Sequence, residues 1–256
     1  MSLIDTHSHI YLPQFDEDLD AMIQRAKDAG VSKIFLPNID LESIPLMHQL
    51  SDRFPDMCYP MMGLHPCDVK ENYIEVLQTM RSMFTERRYI AVGEIGIDLY
   101  WDKSTLGIQI EAFKIQCDWA KELKLPIVIH ARYSFDEIFS VMDEIHDEHL
   151  FGVFHCFTGN ADQAKKVMSY GNFLMGLGGV LTYEKSGLDV VAKDIPMEYL
   201  VLETDSPFLT PKPFRGKRNE SGYVKFVAEK LASIKGMSYE EVIAITGQNA
   251  IKLFNP

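Results

Sequence analysis

Cysteine is scarce, and the four present (Cys58, Cys67, Cys117, Cys156) lie far apart with no CxxC pair. In a chain of this length that reads as reduced thiols and leaves no disulfide framework. Basic residues are also in short supply: 25 Lys and Arg face 37 Asp and Glu, for a net charge of −12. Polyanions are usually recruited through basic surfaces, so an extended duplex-binding face is disfavoured. A strand end held by metal ions and a few local Arg or Lys is not. No apolar run approaches the ~18 residues of a membrane span, and the first residues lack a basic-then-apolar leader pattern. The expectation is a cytoplasmic protein with no membrane contact and no obligatory protein partner.

Also missing are a Gly/Ser-rich linker, a low-complexity tract and an internal repeat, so residues 1–256 read as a single domain. What is there is a steady alternation. Short apolar runs at Leu3–Thr6, Lys33–Pro37, Cys58–Leu64, Ile90–Gly93, Ile127–Ile129, Gly152–Phe154, Phe173–Met175 and Leu200–Leu202 predict strands. Between them, amphipathic patterns predict helices at Asp16–Ala29, Leu41–Arg53, Val69–Arg87, Leu106–Leu123, Ser134–Ile145 and Ala161–Ser169. A short helix at Leu188–Lys193 and two more at Gly222–Ile234 and Ser238–Leu253 follow. Several strands are apolar throughout, as expected when both faces are buried. Eight βα units in 256 residues predict an α/β fold, a single TIM-like (β/α)8 barrel. A doubly wound sheet is the competing arrangement. The densest loop signal, Leu209–Gly222, predicts a structured loop near the last strand.

His7 and His9 alternate along the first strand and so project to one side, with Asp5 on the same face, placed to orient or support them. Alone, His-x-His is a weak pattern. Four further apolar runs, however, also end in a metal-ligating residue: Glu94, His130, His155, and Asp205 in Glu203-Thr204-Asp205. In a (β/α)8 barrel these C-terminal ends converge on the face that carries active sites. Four imidazoles and two carboxylates exceed what one four-coordinate ion needs. They suit two divalent ions, with Glu94 as the natural bridge and Asp205 as ligand, proton acceptor, or both. Imidazole-rich sites favour Zn, Mn, Fe or Ni over Mg, with Mg able to support activity in excess.

In order along the chain stand Asp5-Thr6-His7-Ser8-His9, Gly63-Leu64-His65-Pro66 and Gly93-Glu94-Ile95-Gly96-Ile97-Asp98. Then come Leu125-Pro126 to His130-Ala131-Arg132, His155-Cys156-Phe157-Thr158-Gly159, Glu203-Thr204-Asp205-Ser206-Pro207, Arg218-Asn219-Glu220 and the tail from Asn249 to Phe254. This series resembles the TatD-like metal-dependent hydrolases of the amidohydrolase superfamily over nearly the whole chain. The resemblance implies a TIM-like barrel and a divalent-metal phosphodiesterase, a deoxyribonuclease of exonuclease type. Motif by motif it implies metal binding by His7, His9, Glu94, His130, His155 and Asp205, and places His65 near the substrate phosphate. Arg132 and Arg218 are inferred from position as phosphate contacts, because guanidinium matches phosphate oxygens in a fork. The chain departs from the pattern at Leu177-Gly178-Gly179, at Ser221 and at Cys67; none of these removes a ligand.

The substrate expected is thus a DNA end or a small phosphate-containing molecule. Hydrolysis of a small amide, lactone or phosphate ester at the same metal site is the alternative, which the net charge of −12 favours. A barrel that binds a metal or partner without turnover is the non-enzymatic one. Cys156 beside His155 is read as a structural thiol, Tyr100 and Trp101 as packing or base-stacking residues, and His146 and His149 as solvated. His48 needs no functional role.

Overall fold

In the computed structural model, which describes residues 3–256, all eight expected strands form and pair in parallel. They are β1 (Leu3–Asp5), β2 (Val31–Leu36), β3 (Cys58–Pro60), β4 (Val92–Asp98), β5 (Ile127–Arg132), β6 (Gly152–Phe154), β7 (Phe173–Leu177) and β8 (Leu200–Leu202). The ladders run β1-β2-β3 and β4-β5-β6-β7-β8. Two shorter junctions join these arcs. Met62 bridges to Val92 between β3 and β4, and Ser8 bridges to Ser206 beyond β1 and β8. The Thr6 N–H also donates to Leu202 O at 3.0 Å. The sheet therefore closes on itself as a TIM-like barrel.

The helices lie between strands: α1 (Leu19–Asp28), α2 (Ser43–Arg53), α3 (Tyr73–Met83), α4 (Leu106–Leu123), α5 (Phe135–Ile145), α6 (Ala161–Ser169), α7 (Leu188–Asp194), α8 (Val224–Lys235) and α9 (Tyr239–Phe254). Their apolar stripes bury Met22, Ile23 and Ala26 of α1, for example, or Ile138, Phe139 and Met142 of α5. The opposite faces stay solvated. Helix α9 is capped by Ser238, whose side chain accepts from the Glu241 N–H while the Glu241 carboxylate accepts from the Ser238 N–H. That reciprocal box satisfies two backbone donors left over at the helix start.

Inside the barrel, each strand or its flank contributes an apolar side chain. Ile4, Phe35, Met61, Ala91, Val128, Val153, Leu174 and Val201 meet in one cluster. Ala250 and Phe254 of α9 join it, the Phe254 ring 4.9 Å from that of Phe35. Helix α9 thus packs hydrocarbon against the barrel interior and leaves the opposite, C-terminal mouth to polar groups. Phe254→Ala empties this packing and is expected to cost about 3–5 kcal/mol. That corresponds to a fall of roughly 10 °C in Tm by thermal denaturation; an unchanged Tm would show that α9 does not hold the barrel.

Two departures from the sequence reading matter for the site. Strand β4 does not stop at Gly93 but continues to Asp98, in register with β5 through Ile95↔Ile129, Gly96↔His130 and Asp98↔Arg132. The polar or small residues Glu94, Gly96 and Asp98 alternate with Ile95 and Ile97, a strand period that the preceding apolar run concealed. Glu94 and His130 consequently sit within strands, not past them. Conversely β1 ends at Asp5, so His7 and His9 lie just beyond it. They are held there by hydrogen bonds to the segment after β8: Asp205 N–H to His7 O at 2.9 Å and His9 N–H to Ser206 O at 2.7 Å. The Leu209–Gly222 loop is structured, as its composition suggested. The buried Asn219 amide donates to Thr204 O at 2.8 Å and Phe208 O at 2.6 Å.

Candidate metal centre

At the mouth, one carboxylate stands between two groups of imidazoles. Glu94 is 2% exposed. Its Oε2 lies 3.0 Å from His7 Nε2 and 3.5 Å from His9 Nε2. Its Oε1 lies 2.7 Å from His130 Nδ1 and 3.0 Å from His155 Nε2. Asp205 Oδ1 closes the first group at 3.7 Å from His7 Nε2 and 3.6 Å from His9 Nε2. The His7 and His9 Nε2 atoms are 3.2 Å apart, and the His7 and His155 rings stack at 3.7 Å. All six expected ligands are therefore brought together.

The spacing tests whether cations fit. Four ligands about 2.1 Å from one ion in a tetrahedron are separated by roughly 3.4 Å. His7, His9, Glu94 Oε2 and Asp205 give edges of 3.0–3.7 Å. The tautomers also fit. The Tyr11 hydroxyl donates to Pro37 O at 2.6 Å, so its oxygen accepts from His9 Nδ1–H at 2.9 Å and the Nε2 lone pair faces the centre. His130 has Nε2 at 2.9 Å from Asp98 Oδ2, leaving Nδ1 toward Glu94. His155 turns Nδ1 to within 3.3 Å of Glu203 Oε1. Carboxylates behind metal-binding imidazoles fix the ring and raise its basicity.

Burial and charge are balanced in the same way. Burial alone would push the Glu94 carboxyl up, but His155, His7 and His65 outweigh it and hold it well below the usual range. His155 is pushed down by burial, yet Glu94 and Glu203 carry it well above an ordinary imidazole. His7 is held well below by burial and by the His155 charge. The cluster thus demands positive charge beside Glu94, which is what a divalent cation provides. Asp205, 15% exposed at the side chain, is raised to about 6, chiefly by burial.

His65 behaves differently from the six candidate ligands. Its Nδ1 accepts from the Cys67 N–H at 3.1 Å, so Nε2 carries the proton and points at Glu94 Oε1, 3.5 Å away. It presents a donor to the centre, not a lone pair. Arg132 lies at the rim, its guanidinium 3.8 Å from the Tyr100 ring centroid. Among the described residues no carboxylate pairs with it. Arg218 is engaged elsewhere: it donates to both Asp18 oxygens at 2.7 and 2.8 Å and to Gln14 O at 2.6 Å, over the Phe15 ring. Cys156 is a thiol whose pKa burial pushes well up, next to the acidic groups Asp205 and Glu203. That disfavours the thiolate a nucleophile requires.

The sequence reading missed the supporting residues. Asp98 sits on the same strand as Glu94 and is lowered to about 2: burial opposes, but His130 and the N–H groups of Tyr100 and Trp101 prevail. Glu203 accepts from the Cys156 N–H as well as facing His155. Asp5, expected to support the imidazoles, instead receives Thr204 N–H at 2.9 Å and Thr204 Oγ1–H at 2.7 Å, which anchors the Asp205 segment. Burial raises it to about 7. Asn38, fully buried, clamps β4 by exchanging backbone hydrogen bonds with Gly93 and Glu94. The available signal for Asp98 was its period-two spacing from Glu94. Asp98→Asn is expected to weaken metal binding by about 10–100-fold in a competition titration with a chromogenic chelator; unchanged affinity would remove Asp98 from the His130 support.

Comparison with known proteins agrees with this geometry. Residues 4–255 match the model of the family described as TatD related DNase. An uncharacterized metal-dependent hydrolase, YabD of Bacillus subtilis, is 41% identical over 254 residues, covering 98% of each chain. The 3′-5′ ssDNA/RNA exonuclease TatD of Cronobacter sakazakii is 32% identical over 258 residues, covering 98% of this chain and 97% of its own. Among solved structures, the TatD homologue YjjV of Escherichia coli K12 superposes with a TM-score of 0.93 at 30% identity, over 99% of this chain and 98% of that one.

Proposed function

This chain belongs to the TatD-related DNase family of metal-dependent hydrolases, and we propose that it is a two-metal phosphodiesterase that trims DNA strands from their ends. The observation that carries the reading is Glu94, which turns one carboxylate oxygen to His7 and His9 and the other to His130 and His155. Among the described residues, no helix is long and apolar enough to cross a membrane.

Each cation, when bound, supplies Lewis acidity that lowers the pKa of a water and neutralises charge on a phosphoryl oxygen. The residues provide the rest. His7, His9 and Asp205 would hold one ion and His130 and His155 the other, with Glu94 available to both. Asp98 and Glu203 keep the imidazoles turned inward. Asp205, partly exposed at the mouth, accepts the proton from the attacking water. His65 donates its Nε2–H to a phosphate oxygen, and Arg132 offers a fork of donors from the rim. Arg218 would act on a phosphate only by leaving Asp18. The donor set suits Zn, Mn, Fe or Ni, with Mg effective in excess.

End-labelled single- and double-stranded DNA, incubated with the protein and Mg2+, Mn2+ or Zn2+, tests this directly. Stepwise shortening above a Glu94→Ala control supports it; its absence with every metal removes the nuclease reading. The net charge of −12 favours a second reading, hydrolysis of a small amide, lactone or phosphate ester. Turnover of such esters with none on DNA would select it.

A further inference from the structure

Three large aromatic side chains stand exposed where β4 and β5 reach the mouth. Tyr100 is 48%, Trp101 71% and Tyr133 74% exposed. Tyr100 and Tyr133 stack at 5.5 Å with 21° between their planes, and Trp101 meets Tyr100 edge-on at 4.8 Å. The Arg132 guanidinium lies 3.8 Å from the Tyr100 centroid and 5.5 Å from that of Trp101. Contiguous exposed aromatics need a reason, because burying them would be favourable. Packing is not that reason here, since Trp101 and Tyr133 leave most of their surface to solvent and Tyr100 nearly half.

Their position ties them to the chemistry. Asp98 Oδ1 accepts from the N–H of Tyr100 at 2.9 Å and of Trp101 at 3.3 Å, while its Oδ2 lies 2.9 Å from His130 Nε2. One carboxylate therefore fixes both the aromatic turn and an imidazole of the metal centre. Arg132 and Tyr133 stand two and three positions after His130 in the chain. Behind them a cleft of about 780 Å³ is edged by Asp136 and Glu137. Those carboxylates repel a phosphate, so the cleft suits a flat, uncharged ring. The one cation beside it among the described residues, Arg132, is on the aromatic face.

From this juxtaposition we propose that Tyr100, Trp101 and Tyr133 form a platform that stacks an unpaired nucleobase, with Arg132 on the neighbouring phosphate. The inference rests on the phosphodiesterase reading and sharpens it: the substrate is a single strand with a base free to leave its stack. A paired end would have to fray first. It also resolves the charge difficulty. A chain of net charge −12 lacks an extended basic groove, and stacking supplies affinity that does not depend on one, worth about tenfold or more per base.

Only two tryptophans occur in the chain, and Trp119 is 7% exposed. Emission from Trp101 therefore reports the platform. The test titrates the metal-loaded protein with a short phosphorothioate oligothymidylate, which resists cleavage, and with its abasic counterpart. The expected result is quenching by the first alone, and about tenfold tighter binding of the base-bearing strand by fluorescence anisotropy. In Trp101→Ala and Tyr133→Ala, whose exposure leaves folding undisturbed, that tenfold difference collapses. No quenching, with equal affinity for both strands, overturns the platform. Emission that follows protein concentration and ignores oligonucleotide overturns it too, assigning the patch to a second copy of the chain. Quenching without DNA cleavage would leave the platform standing and remove the nuclease reading; cleavage without quenching would do the reverse.

Discussion

Glu94→Gln is expected to lower kcat/KM by about 10³-fold or more, the loss of several kcal/mol of charge stabilisation at the proposed reacting phosphoryl group. The substitution keeps the size of the side chain but turns one oxygen into an N–H donor. Whichever way the amide lies, a donor faces either His7 and His9 or His130 and His155, where lone pairs now converge. Both ion positions would lose charge, and one would lose its ligand atom. Asp205→Asn separates the roles. It touches only the first group, at 3.6–3.7 Å, and removes the proposed proton acceptor. A fall of about 10²–10⁴ in kcat is expected with the second ion retained. Steady-state kinetics on the substrate identified by the end-labelled assay check both variants. A loss below tenfold for Glu94→Gln would contradict the bridging role.

Removing the metal has the next largest expected effect, and it reads out without any substrate. Ions bind the folded centre and not the unfolded chain, so they stabilise the fold by mass action. An ion at a thousand times its Kd contributes about 4 kcal/mol. For a chain of this size that shifts Tm by roughly 10 °C. The effect should be large because, without cations, the buried Glu94 carboxylate relies on the imidazoles around it, His155 foremost, and on the His130 hydrogen bond. Thermal unfolding in chelator, then after addition of Zn2+, Mn2+ or Mg2+, measures it. The transition metals should give the greater shift at equal concentration, since imidazole nitrogen suits them better than Mg. Identical melting curves in chelator and in each metal would contradict a cation site at the mouth.

The barrel and all six candidate ligands were legible in the sequence because each rests on a local pattern. An apolar run followed by His, Glu or Asp is visible without knowing what lies across the barrel. The supports were not, and the reason is physical. Asp98 and Glu203 are carboxylates near strand ends, as Glu94 and Asp205 are. Only the register Gly96↔His130 and the turn after Asp98 decide that Asp98 faces the back of an imidazole. Asp5 was placed on the right face but assigned the wrong neighbour, because Thr204 lies far away in sequence. Arg218 shows the same limit: its partner Asp18 is 200 positions away, so nothing near Arg218 signals that its fork is taken. Of the two arginines expected at a phosphate, Arg132 is the one with no carboxylate partner among the described residues, and the aromatic residues around it gain meaning only once Asp98 is seen to join them to His130.

Central to the proposed mechanism is that two ions would share the Glu94 carboxylate. Elemental analysis of protein reconstituted with Zn2+ or Mn2+ and freed of unbound metal by gel filtration measures this. The predicted result is close to two ions per chain for the native sequence and at most one for Glu94→Gln. A chain that retains no divalent ion, or a Glu94→Gln variant that retains as many as the native protein, would contradict it.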